Sequence, residues 1–317
     1  MQHHRTALLP LLLGLAAGPA AAQNANILHP VDVIERRLRE DPLNVVDWRG
    51  SRAEGDRTQR VALSFDDGST MVVKWAKAWP GASDFNNEPR YEVAAYELQK
   101  MYLEPADFVV PPTVLRSVPL SWLRAYDATA QPTFDEAGSV LVVLQYWLFD
   151  VSNENFWDEG RFDRDSIYAR HFADMNLLTH LVNHVDENIG NFLISMDSLN
   201  PHVYSVDNGV AFRSDRSDRG YRWRELRVNR LPRATIERLR GITREQLGLR
   251  LGVLATYRVE DGLLVPVQSE TNLNPGRGVR QKDGMVQLGL TSREVDDVWK
   301  RVRELLERVD AGRVALF

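Results

Sequence analysis

Along this chain the apolar positions switch repeatedly between a period of two and a helical period. After a polar lead, Asn44 to Arg49 reads as a strand, and Gln59 to Phe65 alternates apolar and polar residues. Asp66-Asp67-Gly68-Ser69 has the composition of a hairpin turn, and Thr70 to Ala76 is the expected return strand. The chain therefore opens with three antiparallel strands. From Asn87 to Tyr102 the period becomes helical, with Tyr91, Ala94, Ala95, Leu98, Met101 and Tyr102 along one face. Pro111-Pro112 ends that pattern, because proline has no N–H to donate and clashes with the preceding turn. Ser139 to Leu148 is a dense β-branched and aromatic run suited to a buried strand.

A polar stretch from Ser152 to Asp165 marks a boundary. Beyond it Ile167, Tyr168, Phe172, Met175, Leu178 and Val182 recur at helical spacing, so Asp165 to Val182 is an amphipathic helix with Asp165 as its cap. Phe192 to Ile194 and Val203 to Val206 then form a short hairpin. A helical block lies near Ala234 to Leu251. Tyr257 to Leu290 reads as hairpins turning at Asp261-Gly262 and Asp283-Gly284. The last helix runs from Ser292 to Val309, with Thr291 and Glu294 as a capping box and Val295, Val298, Val302, Leu305 and Val309 as its buried stripe.

Composition narrows the function classes. The 317 residues, 44% hydrophobic and 26% charged, suit one two-lobed domain or two small ones. A net charge of -5 gives no reason to expect a nucleic acid or an anionic membrane as partner. Basic residues are dense between Arg213 and Arg250, but acidic ones are interspersed, as on a solvated face. There is no cysteine, which excludes disulfides, thiol catalysis and cysteine-ligated zinc. At the N-terminus, a short polar segment with Arg5 precedes apolar Ala7 to Ala17 and a small-residue end at Ala20-Ala21-Ala22. This is the pattern of a cleaved export signal over residues 1–22, too short to span a bilayer, leaving 317 − 22 = 295 residues. No later stretch is apolar enough to span one. The expected location is secreted or periplasmic.

The candidate chemistry sits where the Asp165 to Val182 helix ends. His184-Val185-Asp186-Glu187-Asn188-Ile189-Gly190-Asn191 places an Asp and an Asn five residues apart, and Ser205-Val206-Asp207-Asn208-Gly209 adds a second Asp at a glycine turn. Phosphoryl transfer uses such a set: one carboxylate orients the attacking hydroxyl, while an Asn and an Asp hold the magnesium of a nucleotide. Upstream, Lys74 interrupts the apolar strand Met71-Val72-Val73-Lys74-Trp75, a costly place for an ammonium without a partner, and Glu92 on the next helix can supply one. A lysine on nucleotide phosphates steadied by a helical glutamate is the arrangement of kinases. Lys77 is equally eligible by pattern alone. Gly50 to Gly55, between the first two strands, is where a phosphate-covering loop would lie.

Two competing readings are weaker. His180 and His184 are four apart and could face one metal with Asp186, yet Leu181 follows His180 where a zinc protease needs Glu. No Gly-x-Ser-x-Gly elbow of a serine hydrolase is present.

Taken in order, Lys74, Glu92-Val93-Ala94-Ala95-Tyr96, Val110-Pro111-Pro112-Thr113, His184-x-Asp186 with Asn191, and Asp207-Asn208-Gly209 resemble the atypical protein-kinase-like superfamily. The likeness is to the branch holding the phosphatidylinositol 3-/4-kinases and the secretory-pathway four-jointed kinases, and it spans Val45 to Phe212. The resemblance implies an α+β, bilobal protein-kinase-like fold. Its N-lobe (23–150) would be a small antiparallel sheet with one helix, and its C-lobe (151–317) mainly helical. It also implies ATP and Mg2+ in the cleft, Lys74 and Glu92 as the phosphate-binding pair, Asp186 as the catalytic aspartate, and Asn191 and Asp207 as metal ligands. Three positions depart from the pattern: Asp186-Glu187-Asn188 replaces Asp-Arg-His, Asn208 stands for the Phe of Asp-Phe-Gly, and Val185 stands where ordinary protein kinases carry Arg.

The expected activity is transfer of the ATP γ-phosphate to a hydroxyl of a protein, sugar or lipid head group. A pseudokinase used for binding or scaffolding, and nucleotidyl transfer on the same fold, are the alternatives. Acceptor recognition is expected in Asp150 to Arg164 and Tyr257 to Leu290.

Overall fold

The computed structural model describes residues 24–50, 58–83, 88–186, 188–212, 223–269 and 271–317. The expected export signal and nearly all of the Gly50–Gly55 loop lie outside the described residues. Helix α1 (Val31–Glu40) leads into β1 (Asn44–Arg49), β2 (Thr58–Ser64), β3 (Thr70–Lys77), α2 (Pro89–Gln99), β4 (Thr113–Pro119), the short α3 (Leu120–Leu123) and β5 (Ser139–Tyr146). The five strands form one antiparallel sheet in the order β1-β2-β3-β5-β4. Their period-two pattern decides the position of the site. In β3, Met71, Val73 and Trp75 are buried on one face, so Lys74 emerges on the other. Its cross-strand neighbour there is Gln145 of β5.

Helix α1 falls in the segment that reads as a polar lead. Its buried residues are only Val31, Ile34 and Leu38, at helical spacing, with Val33 partly buried beside them. Before it, Asn26 is buried and tied to the connection that follows β5: its Nδ2 donates to the carbonyls of Phe149 (2.8 Å) and Asp150 (3.1 Å). Its own carbonyl accepts from Phe149 N–H at 3.2 Å. α2 also differs from expectation. It is buried on all sides, not along one face, because β4, β5 and α7 (Arg244–Gly252) surround it.

The second half follows as β6 (Val151–Ser152), α4 (Glu159–Arg164), α5 (Ser166–Leu181), β7 (Phe192–Ser195), β8 (Val203–Ser205), β9 (Arg230–Leu231) and α6 (Arg233–Arg240), then α7. It ends with β10 (Ala255–Glu260), β11 (Leu263–Pro266), β12 (Val279–Lys282), β13 (Met285–Leu288), α8 (Ser292–Asp310) and β14 (Ala315–Leu316). Asp165 caps α5 by accepting from Ile167 and Tyr168 N–H. α5 is the axis of the larger core, where Phe172, Met175 and Leu178 meet Val298, Val302 and Leu305 of α8. The polar stretch before α5 is not all loop, since Asp158 caps α4 within it. The block near Ala234 to Leu251 is two helices: the chain breaks at Gly241, and Thr243 and Gln246 form a capping box that starts α7. Arg238, Arg240, Arg244 and Arg250 each pair with a carboxylate, in keeping with a solvated face.

The two Asp-Gly turns close their hairpins as read. Asp261 and Gly262 have φ of 49° and 74°, Asp283 and Gly284 of 51° and 74°, the doubly left-handed turn that suits twisted strands. The resulting sheet, β11-β10-β13-β12, packs back on the first one: Tyr257, Leu264 and Leu288 share a core with Leu141 and Leu115. Among the described residues no helix is long and apolar enough to cross a membrane.

Candidate active site

Lys74, Glu92 and Asp207, far apart in sequence, meet between the two halves. The Lys74 ammonium lies 2.8 Å from Glu92 Oε1 and 3.0 Å from Asp207 Oδ1. β3 supplies the first, α2 the second, and the turn after β8 the third. Glu92 is almost fully buried and uses both oxygens, because Oε2 accepts from the N–H of Asn208 at 3.0 Å. It thus clamps the strand lysine and the Asp207-Asn208-Gly209 turn to one carboxylate. Asp207 itself is left-handed (φ 59°), a conformation Asp tolerates better than most residues. Asn208 is buried and bonds Ser205 Oγ at 3.2 Å, a polar anchor where an Asp-Phe-Gly turn would bury a ring.

The charges are mutually supporting. Burial alone would lower the pKa of Lys74, but the Asp207 and Glu92 carboxylates outweigh it and raise it, so the ammonium is retained. Lys74 holds Asp207 below the usual carboxylate range against the opposing effect of burial. For Glu92 burial is the largest influence and raises it, with Lys74 pulling in the other direction. Asp207 nevertheless presents 58% of its side chain to solvent, while Glu92 presents 2%. One carboxylate is structural and closed; the other faces the cleft. Lys77, the other lysine of β3, is committed to Asp127.

The cleft beside them measures about 800 Å³. Lys74, Gln145, Asn191 and Asp207 line its polar side, and Trp147, Leu148, Leu193, Met196 and Val206 its apolar side. Asn191 ends the helical turn Ile189–Asn191 and is buried, with the N–H₂ of its amide unpartnered. Its backbone carbonyl accepts from Val206 N–H at 2.8 Å, which fixes its position next to the Asp207 turn. An amide and a carboxylate are both oxygen donors, so Asn191 and Asp207 fit a hard divalent cation.

Asp186 is less deeply set and does not line that cleft; its Oδ1 accepts from Asn188 N–H at 3.0 Å. His184, two residues before it, is fully buried. Its Nδ1 accepts from Asp186 N–H at 3.4 Å, and burial lowers its pKa, with Asp186 and Asp207 opposing. His184 shapes the loop through Nδ1, while its buried Nε2 has no hydrogen-bond partner. The zinc reading dissolves: His180 Nδ1 is engaged by the Arg224 carbonyl at 2.8 Å, and no metal-binding cluster among the described residues includes His180, His184 or Asp186.

Sequence reasoning missed the connection after β5. Gln145 to Asn153 lines the cleft, and Trp147 N–H donates to Val72 O at 2.9 Å, extending the sheet into the connection. The available signal was the end of the dense β5 run at Trp147-Leu148-Phe149-Asp150. Of the two expected acceptor segments, the start of the first (Asp150 to Asn153) borders the cleft. Among the described residues of Tyr257 to Leu290, none does.

No protein-family model and no curated protein matches the chain. Solved structures do. A structure of hydra Fam20 with sugar aligns over 92% of this chain and 92% of its own, with a TM-score of 0.53 and 11% identity. The Golgi casein kinase aligns over 89% of this chain and 74% of its own, with a TM-score of 0.51 and 13% identity. This chain has the kinase-like fold. At such identities the likeness shows the fold alone, and the expected α+β, two-lobed architecture holds.

Proposed function

We propose that this protein is an exported kinase-like phosphotransferase that moves the γ-phosphate of ATP to a hydroxyl of a protein, sugar or lipid head group. The observation that carries the reading is the Lys74 ammonium held between Glu92 and Asp207 at the floor of a nucleotide-sized cleft. In this reading the lobes divide at 150/151 and the base lies between Leu148, Leu193, Val206 and Met196. Lys74 trades its Asp207 contact for phosphate oxygens and keeps Glu92 as its fixed partner. Asn191 and Asp207 would hold Mg2+, whose positive charge would offset the negative charge of the phosphates. Asp186 orients the acceptor hydroxyl and receives its proton as the oxygen attacks the γ-phosphorus and ADP departs. The order Lys74, Glu92, Asp186, Asn191, Asp207-Asn208-Gly209 keeps the affinity with the phosphoinositide and four-jointed branch as part of the proposal. Export rests on the signal-like residues 1–22; the Golgi casein kinase is by its name a kinase of a secretory compartment.

The test is ATP labelled on the γ-phosphate, with magnesium and an extract of the exported compartment. Labelled product is expected, and Asp186→Ala and Asp207→Ala should each abolish it while the circular-dichroism spectrum is unchanged. Activity surviving both substitutions would sink the assignment. Transfer of label from the α-phosphate instead would favour nucleotidyl transfer. No nucleotide-dependent rise in melting temperature would favour a scaffold.

A further inference from the structure

A second set of chemistry-bearing side chains lies outside the cleft, nearer the start of α5. Asp107 ends the helical turn Pro105–Asp107, His171 projects from α5, and His202 immediately precedes β8. One ligand atom from each of the three lies within 4.8 Å of those of the other two. The imidazole centroids of His171 and His202 are 3.6 Å apart, with the rings at 76°. Both histidines are nearly sealed, at 1% and 4% exposure. Yet Nδ1 of His171 and Nε2 of His202 have no hydrogen-bond partner. Two polar nitrogens left unsatisfied in one nearly closed pocket are costly, and a ligand shared by them would remove that cost.

We propose that Asp107, His171 and His202 bind a divalent transition metal of the zinc type. Two imidazoles and a carboxylate are the donor set of zinc and its neighbours, and the nitrogen donors disfavour magnesium and calcium. Ligands at about 2.1 Å in a tetrahedron are about 3.4 Å apart, so each pair has at most about 1.4 Å to close. Burial lowers the pKa of both histidines, to about 2 for His171 and about 4 for His202, so both rings are neutral at neutral pH. Three contacts must yield, one of them a side-chain hydrogen bond between Asn200 and His171. The Arg170 guanidinium lies 3.3 Å from Asp107 Oδ1 and 3.5 Å from His171 Nε2, but 47% of its side chain is exposed and free to swing outward. Asn24 Nδ2 approaches His202 Nδ1 at 3.3 Å, and the ring gives up that weak contact when its proton moves to Nδ1. Asp107 is partly exposed, which provides the route of entry and room for a water as fourth ligand.

The site would join segments that bear on the cleft. α5 runs into the loop carrying Asp186, and β8 runs into the turn carrying Asp207. A metal on His171 and His202 therefore fixes the two segments to each other at the far end from the chemistry.

The experiment uses the full chain, stripped with chelator, dialysed against zinc without nucleotide, and analysed by elemental mass spectrometry. One zinc per chain is expected in the wild type and in Asp207→Ala, and none in His171→Ala/His202→Ala. Absence of retained zinc in the wild type, or full retention in the double variant, overturns the proposal. Should the double variant misfold, X-ray absorption on zinc-loaded wild type decides: imidazole scattering supports the site, and its absence overturns it. No nucleotide takes part, so this outcome is independent of the kinase reading.

Discussion

α2 carries two buried ion clusters, two residues apart, and they are built to opposite ends. On the cleft side Glu92 meets Lys74 and Asp207, and one member, Asp207, stays open to solvent. On the other side Arg90 reaches Glu294 of α8 at 2.6 and 3.0 Å and Glu88 at 3.1 Å, while Tyr91 Oη donates to Glu294 at 2.5 Å. There every member is largely closed: Arg90 is 9% exposed and Glu294 14%. Even the backbone is fitted to it, since a side chain at Gly278 would collide with the Arg90 guanidinium. A closed cluster stabilises position. An open one keeps a charge available for a ligand. The closed cluster holds α2 against α8, and α2 in turn holds Glu92 where Lys74 can meet it.

The largest effect separates the two members of the open cluster. Lys74→Met leaves the buried Glu92 carboxylate facing Asp207 without a cation, so both stability and nucleotide binding should collapse, at a cost of about 3–5 kcal/mol in folding. Asp207→Ala, by contrast, keeps the Lys74–Glu92 pair. It should abolish transfer while lowering stability by only about 0.2–1 kcal/mol, as for an ion pair with one exposed partner. Chemical denaturation of the two variants checks the contrast. Equal losses would mean that the open member is as structural as the closed one.

Next in size is the closed cluster. Arg90→Met should destabilise by about 3–5 kcal/mol, because Glu294 and Glu88 lose a buried partner. With α2 released, nucleotide affinity should also fall, although Arg90 lies away from the cleft. Denaturation and nucleotide titration together test this. An affinity unchanged in the folded variant would show that Glu92 does not depend on the α8 contact.

What could be read from the sequence follows the range of the interactions. The strands, the two Asp-Gly turns, the Asp165 cap and the Thr291–Glu294 box depend on neighbours within a few residues, and they were legible. Lys74 was legible because a lysine in an apolar strand needs a partner. Asn26 was not: its amide acts on Phe149 and Asp150, and nothing near it in sequence indicates that. The same holds for Arg90, an unremarkable helix residue until α8 arrives beside it. His184 was misplaced because spacing puts it near Asp186 but cannot say that its ring turns inward. The break at Gly241 is not legible because the apolar pattern continues on both sides of it.

The smallest expected effect tests whether Glu294 owes its place to charge. It has two roles, accepting Thr291 N–H at 2.7 Å in the capping box and pairing with Arg90. Burial opposes its ionisation, but Arg90 and the hydrogen bonds outweigh burial and hold its pKa below the ordinary 4.5. A carboxylate depressed in the folded state contributes stability that is present above its unfolded value and lost as pH falls through the folded one. The contribution should therefore be complete above about pH 4.5 and disappear below it. Glu294→Gln keeps one carbonyl oxygen to accept from Thr291 N–H and Arg90 Nη1, loses the acceptor that serves Arg90 Nη2 and Tyr91 Oη, and cannot titrate. Its stability should be lower than that of the wild type at neutral pH, and the difference should narrow on acidification below pH 4.5. Melting temperatures of both proteins across that range measure it. A gap that stays constant with pH would assign the role of Glu294 to cap geometry and leave its charge idle.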